Sequence, residues 1–378
     1  MQPTFHLDRV ENLMGIAASA AKGGEKVQVL YREALTSDDP RFYKFMDSVT
    51  MSLLGRCKTT VHNIHHFLIL IHDDLSADVY LNELPIQASA VAKRKFEKGQ
   101  MLTLDDLADI RDVHFPGIEI KPRDRIICCI KVWWKFGLYF DFGTAHDPNT
   151  QLDHDQLSKT LGNLYRYLMF EHVYKTLEAK DRFERMQEDG WFPFVELLGS
   201  EFRELSNAYE NLADPKDAVD KLVARFDAGR VGQIAERWWT KEPFSGKRSI
   251  IQAGINAYLR NDSEGYILCL KTVLPEIEGI LRSLHHSEKG THTSKLKRLT
   301  EHLGEKALAK AGSASSLLLP ANFVRYLQSV VFRDFDLTAG DVSMSRHSAA
   351  HGVAKPEQYT RSRALQAILS LDQIYFYL

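Results

Sequence analysis

Arg346, His347, Ser348 and His351 fall within six positions of one polar stretch, SRHSAAHG (345–352), near the end of a 378-residue chain whose closing residues are otherwise mostly apolar. Imidazole exchanges protons near neutral pH, and guanidinium keeps its charge while gripping anion oxygens in a fork. Together they offer acid–base exchange beside a bound anion. On a regular helix His347 and His351, four apart, share a face, whereas Arg346 and His351 stand about 140° from each other. A long arginine at the start of such a turn can still reach round to the same cleft. Gly352 is placed to end the short helix, and Pro356 prevents its easy continuation. By spacing alone the plainer reading is a solvated polar cap between two helices.

Elements must hold these groups if they are to act, and the C-terminal third supplies candidates. In SEGYILCLKTVLPEIEGILRSLHH (263–286) the residues Ile267, Leu270, Leu274, Ile277, Leu281 and Leu284 step alternately by three and four, which makes one apolar seam along a long helix. Pro275 lies inside it and predicts a kink or a break. SKLKRLTEHLGEKAL (294–308), PANFVRYLQSVVF (320–332) and TRSRALQAILSLDQIYFYL (360–378) read as further amphipathic helices, so residues 246–378 are expected to form an all-helical bundle. Upstream, residues 151–245 carry long helical periodicity and read as a helical connecting region, with KEPFSGKRS (241–249) as its linker.

Residues 1–150 differ in kind. FLILI (67–71), ADVYLNEL (77–84), DRIICCIKVWW (124–134) and FGLYFDF (136–142) are rich in β-branched and aromatic residues, and they predict short strands of an antiparallel sheet. A helical stretch covers Phe42 to Cys57, and Thr103 with Asp106 forms a capping pattern at a short helix. The expected fold class is α+β, with an N-terminal mixed region that senses a signal or selects a substrate.

Composition narrows the function classes. A net charge of −2 gives no global attraction to nucleic acid, so any such binding needs a local patch. The run Lys289, Lys295, Lys297 and Arg298, with His285, His286 and His292 nearby, is the candidate, although Glu301 and Glu305 dilute it. The four cysteines, Cys57, Cys128, Cys129 and Cys269, show neither a zinc spacing nor a disulfide ladder, and a reducing cytoplasm fits them best. No run is apolar for long enough to span a bilayer, and the N-terminus does not read as a signal peptide.

The C-terminal third, Ser249 to Leu378, resembles a HEPN domain. This family of helical bundles is found in prokaryotic defence, toxin and RNA-processing systems, and its hallmark is Arg, a polar residue, three more residues and His. Here that pattern is Arg346, His347, Ser348-Ala349-Ala350 and His351, set before the last helix; ALQAILSLDQI and the earlier LPEIEGILR strengthen the likeness. The resemblance implies a metal-independent endoribonuclease without a cofactor, cutting RNA through attack by the ribose 2′-OH. His351 would move the proton, Arg346 would clamp the phosphate, and His347 would orient the site or share proton transfer. Ser348, Lys295, Lys297 and Arg298 would contact RNA. Glu278 and Arg282, four apart, read first as a helix-surface pair and second as support behind the site. The resemblance also implies a homodimer through the bundle; the apolar residues left over on the final helix, among them Ile374, Tyr375 and Tyr377, are candidates for that interface, although burial within the bundle is the commoner fate of such residues. The different-class alternative is a non-catalytic HEPN module that binds protein or nucleotide; a purely structural copy has no need of both Arg346 and His351.

Three further features invite a function and lose it on inspection. LIHDDLSAD (70–78) and LDDLAD (104–109) have the look of the aspartate-rich magnesium motifs of prenyl synthases, but the first follows a strand and the second opens a helix. His62 and His66 have metal-pair spacing without a third ligand. Asp141-Phe142-Gly143 has none of the companions of a kinase motif and reads as a strand end.

Overall fold

The computed structural model describes residues 1–57, 63–147, 149–212, 214–293, 295–334 and 344–378. His62, of the histidine pair with metal-ligand spacing, lies outside them. The chain is mixed α and β and divides into two compact units: Met1–Ala90 with Ile110–Glu171, and Val91–Asp109 with His172–Leu378.

The first unit is built on a six-stranded antiparallel sheet. Its strands are β1 (Phe5–Leu7), β2 (Arg32–Thr36), β3 (Phe67–Ile71), β4 (Ala77–Leu81), β5 (Arg125–Val132) and β6 (Lys135–Asp141), in the order β1-β4-β3-β5-β6-β2. The central strands are buried on both faces, which is why they read as continuous apolar runs and not as an alternating pattern. Phe67, Ile69, Ile71, Ile127 and Cys129 face a core closed by Phe42 and Phe45. Leu68, Leu70, Ile126, Cys128 and Ile130 face the other, closed by Leu157, Leu161, Leu164 and Leu168 of helix α1 (His154–Met169). This helix therefore belongs with the sheet, where the sequence reading grouped it with the connecting region. The turn between β5 and β6 is the pair Trp133–Trp134. Trp133 has φ +51°, a conformation that costs a residue with a side chain about 1–2 kcal/mol.

The second unit is helical: α2 (Glu171–Glu178), α3 (Lys180–Glu188), α4 (Ser200–Asn211), α5 (Lys216–Ala224), α6 (Ala228–Trp238), α7 (Arg248–Leu259), α8 (Ser263–Lys289), α9 (Leu296–Ala311), α10 (Pro320–Tyr326), α11 (Arg346–Ala350) and α12 (Arg361–Tyr377). Helix α8 runs unbroken through Pro275, against the expected break, and packs on α7, α9, α11 and α12. Burial of Leu270, Leu274, Ile277, Leu281 and Leu284 along the seam outweighs the one backbone hydrogen bond that a proline cannot donate. Almost all of α12 is buried, Ile374 and Tyr377 completely, so these two residues take the burial alternative, as core of the single chain, and not the interface one; Tyr375 is half-buried. Asp372 on α12 is buried too and is held by Arg237 and by the Trp238 indole at 2.8 Å, with Glu196 on the other side of Arg237 at 2.8 Å.

The segment Val91–Asp109 belongs to the helical unit through polar contacts that no apolar pattern announces. Lys93 is buried and donates to the Leu198 carbonyl at 2.8 Å, Asp105 accepts from the Ser200 N–H at 2.7 Å, and Asp109 accepts from the Leu317 N–H at 3.2 Å. Burial pushes the Lys93 ammonium down to about 8.

A partly buried imidazole is expected to make this unit acid-sensitive. Burial, reinforced by the charge of Arg203, pushes His172 down to about 4 from 6.5. Between those values the unfolded chain binds a proton that the folded chain refuses, so stability present above pH 6.5 is lost as pH falls toward 4. Denaturant unfolding at pH 7, 6, 5 and 4.5 is expected to show a decline in which this residue accounts for up to about 3 kcal/mol, and His172→Phe to flatten it. A decline of equal steepness in the variant would contradict the assignment.

Candidate active site

Helix α11 has five residues, too few to persist in isolation, and local chemistry defines both of its ends. Ser345 is the N-cap: its hydroxyl accepts from the Ser348 N–H at 3.2 Å, and the Ser348 hydroxyl accepts from the Ser345 N–H at 2.8 Å. At the other end His351 is the C-cap, Gly352 takes φ +73°, and the Val353 N–H returns to the Ser348 carbonyl at 3.1 Å. That return closes a Schellman turn, which needs a left-handed residue at the glycine position. Lys271 of α8 donates to the Ala349 carbonyl at 3.1 Å and so places a cation at the helix C-terminus.

Ser348 is therefore corrected as an RNA contact. It is fully buried, and its hydroxyl is engaged in the cap. The Ser-x-x-Ser spacing is a variant of the capping box, with Ser in the place usually taken by Glu or Gln.

Arg346 turns toward α8. Its Nε lies 2.8 Å from Oε2 of Glu278, a carboxylate whose side chain is only 7% exposed. Oε1 of Glu278 accepts from Nε of Arg282 at 2.7 Å, and Arg282 also donates to the Thr293 carbonyl at 2.9 Å. Glu278 and Arg282 thus form the expected i, i+4 pair, but its carboxylate faces inward and joins Arg346. One buried anion stands between two guanidinium groups, and among the described residues the two terminal amino groups of Arg346 make no hydrogen bond. A guanidinium held through its Nε can offer an anion two parallel N–H donors.

His347 and His351 lie on one face with ring planes 7° apart and centroids separated by 6.5 Å. His347 is largely buried, and its Nε2 is 3.7 Å from the Asp334 carboxylate; His351 is exposed. The two imidazoles and the guanidinium thus share one short, capped helix with two kinds of donor, one fixed in charge and one able to titrate.

The basic run is placed differently. Lys295, Lys297 and Arg298 are exposed around the start of α9, and Lys297 stands 3.9 Å from Glu301. Arg282, paired with Glu278, donates to the carbonyl of Thr293, which precedes the exposed run in the chain. Nearby, His286 and His292 stack at 4.0 Å, and His302 lies 3.0 Å from Glu288. Among the described residues no group of three or more His, Cys, Asp or Glu side chains is arranged to hold a metal ion.

The aspartate-rich stretches are spent on structure. Asp74 accepts from the Ser76 N–H at 2.9 Å, Asp124 and Asp78 flank His72 at 2.7 and 3.2 Å, and Asp106 closes the turn at Thr103. His66 accepts from the Lys131 N–H at 3.1 Å, and Asp141 accepts from the Gly143 N–H at 2.8 Å where β6 ends.

Comparison with known proteins found no matching family model, no matching curated protein and no matching solved structure.

The anchoring of α11 can be measured directly. Glu278→Ala leaves two guanidinium groups repelling each other around a cavity and is expected to cost about 2 kcal/mol in urea unfolding, against about 1 kcal/mol for Ser345→Ala, which removes only the cap. Equal, negligible losses in both would mean that α11 is not held as described.

Proposed function

We propose that the chain is a metal-independent endoribonuclease whose C-terminal region is a HEPN-type bundle, acting inside a prokaryotic cell in a defence, toxin or stress response. The observation that carries this reading is the joint placement of Arg346, His347 and His351 on one capped helix, with the Arg346 guanidinium oriented by buried Glu278.

Cutting RNA without a metal requires that a proton leave the ribose 2′-OH, that the phosphorane be stabilised, and that the departing 5′-oxygen gain a proton. His351 takes the 2′ proton as that oxygen attacks phosphorus and the P–O5′ bond breaks. Arg346 binds the non-bridging oxygens as negative charge builds on them. The proton for the 5′-oxygen comes from a second imidazole, either His347 or a histidine of a second copy of the chain. A two-fold axis beside α11 would present the same three groups from the other side of the phosphate, because a symmetric interface repeats its patch on both partners. With Ile374 and Tyr377 internal, that interface must use exposed residues around α11 instead.

The test incubates purified protein with transfer RNA and mixed cellular RNA in excess chelator. Wild type is expected to cut. His351→Ala should lose at least about 100-fold in rate, and Arg346→Lys should fail as well, since an ammonium keeps the charge and loses the fork. Equal cutting by all three would indicate a contaminating nuclease, and no cutting by any would favour a binding module over an enzyme. Light scattering across a dilution series, run beside the rate measurement, is expected to show specific activity falling as dimers dissociate; a monomer with full specific activity would exclude the shared site.

A further inference from the structure

The most exposed large apolar side chain among the described residues is Trp134, at 88%, and its neighbour Trp133 is 54% exposed. Both sit in the two-residue turn of the β5–β6 hairpin, within the sequence Lys131-Val132-Trp133-Trp134-Lys135-Phe136. Isolated exposed apolar residues are ordinary, but two adjacent tryptophans at a tip are not. Position one of such a turn is where glycine is favoured, and here Trp133 occupies it with positive φ. The fold thus keeps a half-exposed indole at a strained turn position, which is the pattern of strain held at a binding site.

The charges around the tip are asymmetric. On one face of the ladder Lys131 pairs across to Phe136, with its ammonium 5.3 Å from that ring's centroid and 3.4 Å from Nδ1 of His65. Among the described residues no carboxylate pairs with Lys131. On the opposite face Lys135 is neutralised by Asp38 and by Glu171 at 3.2 Å. Flat aromatic side chains beside a cation that pairs with no carboxylate among the described residues suit a strand of stacked rings joined by phosphates. The same features do not suit the competitors. A tip of a few residues offers far less than the roughly 800 Å² per partner of a stable protein interface, and a single unneutralised lysine falls well short of the basic cluster that draws a segment to an anionic bilayer.

We propose that the Trp133–Trp134 tip is a stacking platform for single-stranded nucleic acid, with Lys131 and His65 contacting the backbone phosphates. This gives the sheet unit a binding function that needs neither Arg346 nor His351, and it stands or falls separately from the ribonuclease reading.

The test follows tryptophan fluorescence of the full chain titrated with a twelve-residue oligothymidylate. That strand lacks the 2′-OH and is inert to the proposed cleavage. Quenching is expected with the single strand and not with its duplex or with heparin, which carries charge without bases. Trp133→Ala/Trp134→Ala, followed by anisotropy of a labelled strand, should weaken binding by roughly 5- to 150-fold for each stacked base lost. Trp133→Phe/Trp134→Phe should retain most of the affinity, and Lys131→Glu should weaken it with a shallower salt dependence. Trp133→Gly serves as the folding control, since it should raise the melting temperature by relieving the turn while still losing affinity. Unchanged affinity in the alanine variant, equal quenching by heparin, or a blue shift on phosphatidylserine vesicles in place of quenching by the oligonucleotide would each overturn the proposal.

Discussion

The buried carboxylate of Glu278 is the constraint around which the candidate site is organised. A carboxylate taken out of water needs opposite charge close by, and here it has Arg282 on one oxygen and Arg346 on the other. Arg346 cannot swing away without leaving that anion undercompensated, so the direction of the guanidinium is fixed by electrostatics and not by the five-residue helix that carries it. The Ser345–Ser348 cap and the Lys271 contact to Ala349 fix the backbone of the same helix. A helix too short to form unaided is therefore held at its start, its side and its end, and the two histidines inherit that position.

The scaffold behind Glu278 explains why the carboxylate stays where it is. Helix α8 carries it mid-length on a seam whose apolar residues are buried against α7, α9 and α12, and α12 is enclosed by the unit on nearly every side. Sites mounted on rigid elements hold geometry better than sites on loops. Helix α12 itself is tied to α6 by the Asp372–Arg237 pair and the Trp238 indole. The buried carboxylates of Glu278 and Asp372 are thus each matched by arginine, and each pair penalises slippage of the helix that bears it.

Most secondary structure was legible because it rests on local patterns. The four strands expected at 67–71, 77–84, 124–134 and 136–142 form, with the second ending at Leu81 and the third at Val132, so that Trp133 and Trp134 make the turn, and the α8 seam appears residue by residue, with Ile267 half-buried at its outer end. What stayed hidden depends on contacts distant in sequence. Helix α1 has the periodicity of any amphipathic helix, and nothing local reveals that its leucines cover a sheet. The segment Val91–Asp109 joins the helical unit through a buried lysine and two aspartates, residue types that pattern reading assigns to the surface. At the site, Arg346, His347 and His351 were visible as a group, and Glu278 with Arg282 as a pair. Their union was not, since Glu278 and Arg346 are 68 positions apart and meet only because α8 and α11 pack together. Ser348 went the other way: polar and central to the motif, it was read as a ligand contact when its spacing from Ser345 marked a cap.

The central claim is that this helix directs attack by the neighbouring 2′-oxygen on the phosphate it holds. The ends of the cut RNA report that step directly. Mass spectrometry of fragments produced in excess chelator should find 2′,3′-cyclic phosphate, or its opened 3′-phosphate, on one side of each cut and 5′-hydroxyl on the other. Fragments ending in 3′-hydroxyl and 5′-phosphate would mean that water, and not the ribose, attacks the phosphorus, and would contradict the account.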